Sequence, residues 1–171
     1  MRKDNKRKGS TILETLAYIS ILVMIILVLI STLVVLTKSY RQVTVNRTLE
    51  SSALLALDRI TSTLRSSESI DFVNTTLNSS AGVLTLNARS TSSTLYKARF
   101  YVIGGVVQMD TNGIYEGQLT SSSTRVVSLM FRHIVTPVSG AVRVEITLEA
   151  DVNGLTKTEN FYTTTILKNS Y

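Results

Sequence analysis

The chain has no cysteine, no tryptophan, one proline and one histidine among its 171 residues. Without cysteine there is no disulfide framework, no thiolate metal site and no thiol nucleophile. A catalytic triad or a zinc centre would have to be built around His133 alone. A Gly-rich phosphate loop, a nucleophile elbow and an HExxH pair are all missing from the sequence. The reading is therefore a protein that is not an enzyme and needs no cofactor. A mass of 18.8 kDa leaves room for one domain, or for a small domain with an appendage.

Charge is unevenly spread. The formal net charge is +6, which at first suggests a nucleic-acid partner. The first nine residues, MRKDNKRKG, carry five basic side chains against Asp4, and the remaining 162 residues have a net charge of only +2. Those remaining basic residues are scattered, so the folded part has no general basic character and nucleic acid is not its expected partner. A smaller possibility keeps Lys97, Arg99 and Arg125 as contacts to DNA.

Next comes a stretch with no charge at all, from Thr15 to Thr37. Its centre, Leu16 to Leu36, is 21 residues interrupted only by small residues, hydroxyls and one Tyr. As a helix it would span about 30 Å, the thickness of a bilayer core. Ser20, Ser31 and Thr32 can return their hydroxyl bonds to the preceding turn. The basic flank places the N-terminus in the cytoplasm, so everything after Lys38 is expected outside. The run is too long for an ordinary signal peptide, and Leu36–Thr37–Lys38–Ser39 makes a poor cleavage site.

Between leader and span stands Gly9-Ser10-Thr11-Ile12-Leu13-Glu14-Thr15-Leu16. This junction resembles the processing site of type IV prepilins and type II secretion pseudopilins. The resemblance implies cleavage after Gly9 by a prepilin peptidase, methylation of the new N-terminus at Ser10, and a role in subunit assembly for Glu14, the fifth residue of the mature chain. The family most often has Phe where this chain has Ser10. Physical reasons accompany each element. Gly9 lets the backbone approach catalytic groups with no side chain in the way. An unpaired carboxylate next to hydrocarbon needs a partner, which a neighbouring subunit's free amine could supply. Thr11-x-x-Glu14 is also a capping box, which would explain Glu14 with no neighbour at all.

Past the membrane, Tyr40, Val43, Leu49, Ala53, Leu54, Leu57, Ile60 and Leu64 recur mostly at steps of three and four, and neither Pro nor Gly occurs between Ser10 and Ala81. One helix from about Thr11 to Ser66 is expected, apolar all round at first and with one buried face later. After Ser69 the pattern alternates. Expected strands are 83–87, 94–103, 106–110, 126–135, 142–152 and 155–167, with Asn153-Gly154 as the clearest hairpin turn and Gly104-Gly105 as another tight connection. The fold class is α+β: a long N-terminal helix packed on an antiparallel sheet head. It divides into a leader (1–9), a transmembrane and assembly helix (10–37), an amphipathic continuation (38–68) and an extracytoplasmic β-rich head (69–171).

The head block Tyr96 to Gln108, then Val127 to Phe131 and Val142 to Leu148, looks like the strand pattern of J-type pseudopilins and W-type minor pilins. Partners implied by the resemblance are other pilin or pseudopilin subunits, the prepilin peptidase, a membrane assembly platform and the lipid bilayer. Within the head, Glu145, Glu149 and Asp151 alternate along one strand and could hold a divalent cation, although a solvated sheet face explains them without one. The expectation is a minor pilin-like structural subunit, cleaved after Gly9 and assembled into a filament or its tip. The alternative is an uncleaved, single-span anchored binding module.

Overall fold

The computed structural model describes residues 7–89, 94–135 and 140–167, with side chains from Thr11 onward. The chain forms two units, Met1–Gln42 and Val43–Tyr171. A single helix, α1 (Arg7–Ser66), supplies nearly all of the first and the opening element of the second. It starts four residues before the expected Thr11, because nothing in Lys8-Gly9-Ser10 stops a helix beyond the roughly 1 kcal/mol a glycine costs.

In the second unit α1 is followed by β1 (Ser67–Ile70), a 3₁₀ turn (Phe72–Asn74), β2 (Leu84–Arg89), β3 (Leu95–Ile103), β4 (Val106–Thr111), β5 (Ile114–Gln118), β6 (Thr124–Val135), β7 (Gly140–Val152) and β8 (Leu155–Ile166). These make a five-stranded sheet in the order β1-β2-β3-β4-β5 and a three-stranded sheet, β6-β7-β8, with antiparallel pairing throughout. The α+β class read from the sequence is the fold observed. The single head sheet expected is in fact two, and β1 and β5 are additions to the expected strands.

One buried cluster joins the second part of α1 to both sheets. The helix contributes Val45, Leu49, Ala53, Ala56, Ile60 and Leu64, which recur at steps of three and four and so share a face. Tyr40, Val43 and Leu54 do not belong to it; Leu54 is 67% exposed and Tyr40 74%. Apolar character misplaced the stripe there, because the helical phase set by Leu49, Ala53, Ile60 and Leu64 puts the smaller Val45 and Ala56 inward instead. Leu84, Leu86, Ala98, Phe100, Val107 and Met109 face the cluster from the first sheet, and Leu129, Phe131 and the alternate residues Val142 to Ala150 from the second. The strict alternation along β7 gives a half-solvated antiparallel strand. In β6 a bulge between Val126 and Ser128 exposes Val127 and changes which parity points inward, from Val126 to Leu129 and Phe131.

The two sheets are stitched together by the segment before β2. Asn78 and Gly82 donate their backbone N–H groups to the carbonyls of Phe131 and Leu129 (2.9 and 2.8 Å), and the Leu129 N–H donates to the Ser80 carbonyl at 2.9 Å. The Val126 N–H reaches the Gly105 carbonyl in the β3–β4 turn at 2.7 Å. At the β7–β8 hairpin Asn153 and Gly154 both take positive φ, as a two-residue turn of this type requires.

Candidate functional site

The site expected from the sequence is the start of α1. Gly9 and Ser10 both lie within the helix. So does Thr11, which therefore cannot be the N-cap of this helix, and no acidic residue falls in its first turn. The capping box does not account for Glu14 in this chain. What Glu14 has instead is Tyr18, whose hydroxyl donates to its Oε1 at 2.9 Å. Beyond it the apolar side chains from Ile19 to Leu36 are uniformly exposed. Among the described residues α1 is the one helix long and apolar enough to cross a membrane.

The hydroxyls within this surface are satisfied internally. Ser20 donates to the Leu16 carbonyl at 2.8 Å, and Ser31 and Thr32 both donate to that of Val28 at 2.8 Å. Thr37 does the same to Leu33 at 2.9 Å. A helix with no outward-pointing unsatisfied hydroxyl meets the demand that hydrocarbon makes of every polar group.

In the head, the structure separates residues that the sequence grouped. Lys97 and Arg99 lie on β3 and line a cavity of about 420 Å³ with Asn74, Thr85, Asn112 and Gly113. Arg125 lies on β6, beside a different cavity and opposite Glu149 in the strand register. Lys97 Nζ is 2.9 Å from Asp71, and the Arg99 guanidinium stacks 5.0 Å from the Tyr101 ring centre. The three cations thus do not line one common cavity. Glu145, Glu149 and Asp151 do sit on the outer side of β7, where Glu149 and Asp151 line the cavity beside Arg125 and two of the three have partners of their own. Glu145 pairs with Arg132 (3.1 Å) and Arg143 (2.9 Å), while Asp151 accepts from the Gly154 N–H and the Thr156 hydroxyl across the hairpin. His133 packs its ring against Phe72, centroids 5.2 Å apart. Among the described residues no three His, Asp or Glu side chains converge as a metal site.

No family model, curated protein or solved structure matches the chain. The layout itself, a long apolar N-terminal helix followed by antiparallel sheets, is pilin-like.

Two polar contacts of the head have electrostatic consequences. Hydrogen bonds from Lys97 and, second, from the Asn74 amide hold the Asp71 carboxyl down from 3.8 to about 2. A carboxyl so depressed contributes stability above its unfolded value, and the contribution is lost as pH falls through about 2. NMR titration of the Asp71 side chain should therefore give a midpoint near 2, moving back toward 3.8 in a Lys97→Gln chain. An unchanged midpoint in that variant would assign the depression to other groups. Tyr101 is pushed up, first by burial and then by its 2.8 Å hydrogen bond to Asp110.

Proposed function

We propose that the protein is a minor type IV pilin-like or pseudopilin structural subunit. It is inserted with its N-terminus in the cytoplasm and its head outside, cut after Gly9, and assembled through α1 into a filament or filament tip. One observation carries this reading: a helical surface apolar all round from Ile19 to Leu36, preceded by a single carboxylate at Glu14. A helix of that kind suits both lipid and a bundle of identical helices, so the same surface serves before and after assembly. Removal of residues 1–9 deletes five positive charges that hold the chain in the membrane, and frees an amine able to pair with Glu14 of a neighbour. The expected partners are other subunits of this kind, the peptidase, an assembly platform and lipid.

The test is the intact mass of the membrane-extracted protein made beside its native peptidase. Loss of residues 1–9, with or without a methyl group on Ser10, is the expected result, and Gly9→Val should leave the chain full length. A full-length wild-type chain in that setting favours an uncleaved anchored binding module and removes the subunit reading. Glu14→Ala subunits should enter filaments poorly; normal entry would take the assembly role away from the carboxylate.

A further inference from the structure

Six hydroxyl side chains lie between residues 15 and 37, and five of them turn back to a backbone carbonyl of the preceding turn. Tyr18 is the exception, since its hydroxyl goes to a side chain, Glu14 Oε1, at 2.9 Å. The spacing of four places the two residues one above the other on the same helical face. Glu14 is also the one charged residue between Thr11 and Thr37.

We propose that Tyr18 is a positioning residue for Glu14, the internal partner that holds the carboxylate at the membrane before any other subunit is present; this rests on reading α1 as the membrane span of an assembling subunit. A newly inserted chain has no neighbour to supply an amine, yet its carboxylate already lies at the border of hydrocarbon, where an unpartnered charge is costly. A phenol answers that need in a particular way. It satisfies one acceptor lone pair and brings no positive charge of its own, so the carboxylate keeps acceptor sites open to an incoming amine. A Lys or Arg at the same position would form a permanent pair and compete with the neighbour. Tyr18 has a competing explanation as an interfacial aromatic anchor, in which the ring meets the headgroups and Glu14 is irrelevant. The two explanations differ in whether the effect of Tyr18 depends on Glu14.

That dependence is measurable because the chain contains no cysteine, so an introduced thiol is the sole one present. The full chain, leader retained, is placed in inside-out membrane vesicles lacking the peptidase and other subunits. Labelling of a single thiol by a membrane-impermeant maleimide is then timed, using Ala17→Cys near the pair and Met24→Cys in mid-span. Tyr18→Phe should speed labelling at position 17 about tenfold, as the carboxylate replaces its lost donor with water and draws the helix end outward. In a Glu14→Gln background the same substitution should change the rate less than twofold, and position 24 should stay protected throughout. Equal rates in wild type and Tyr18→Phe overturn the proposal. An equal rise with and without the carboxylate also overturns it and makes Tyr18 an interfacial anchor, and a matching rise at position 24 overturns it by showing that the whole span has opened. No assembly occurs in this assay. A wild-type chain left full length beside its native peptidase would therefore remove the subunit reading and leave this result intact, whereas equal labelling removes the role of Tyr18 whatever filaments do.

Discussion

Phe131→Ala is expected to cost the Val43–Tyr171 unit about 3 to 5 kcal/mol, read from the shift in its urea midpoint in the full chain held in detergent. The ring is fully buried in the cluster that α1 shares with both sheets. Its strand is paired with β7 on one side and bonded to Asn78 and Gly82 on the other, so the backbone around an emptied site is poorly placed to collapse into it. Domains of this size are stable by about 5 to 15 kcal/mol, which makes the loss a large share of the whole. A change below about 1 kcal/mol would mean that the ring does not fill this core.

The second large effect is steric. Gly82 lies so close to β6 that a Cβ there would stand 2.7 Å from the Leu129 carbonyl oxygen and 2.9 Å from Phe131 Cδ2. The ring can shift, but the carbonyl is held in place by the Gly82 N–H bond at 2.8 Å, which a displaced backbone would lose. Overpacking together with that bond suggests that Gly82→Val costs about 2 to 4 kcal/mol. Because one of the two clashes is with Phe131, the double variant with Phe131→Ala should lose about 1 kcal/mol less than the sum of the single losses. Strict additivity would show that the valine meets only the backbone.

The parts of this fold that could be read from residue order are those dictated by a single local cause. A span without charge from Thr15 to Thr37 has few alternatives to a membrane-length helix, and Asn153-Gly154 between alternating segments calls for a tight hairpin. Asn112-Gly113 carries the same signal, with positive φ at both residues, and joins β4 to β5. β1 offered no comparable signal: four residues, SESI, bulged against β2, are too short to show alternation. The core stripe of α1 depended on phase, where small residues such as Ala56 count as much as leucines. At the N-terminal site Glu14 stands out by its context, whereas its contact with Tyr18 is carried only by a spacing of four, which the Thr11-x-x-Glu14 pattern overlaps.

The bonds between residues 78–82 and β6 also impose an order of events. Pairings from β2 to β5 are all between strands adjacent in sequence and can close as soon as those residues are available. The joint to Leu129 and Phe131 must wait for a part of the chain made later. During synthesis the Asn78 and Gly82 N–H groups therefore stay bonded to water until β6 arrives. A head delivered across a membrane from its helix end onward would complete one sheet, hold this seam open, and lock its two halves together only near the end of its passage.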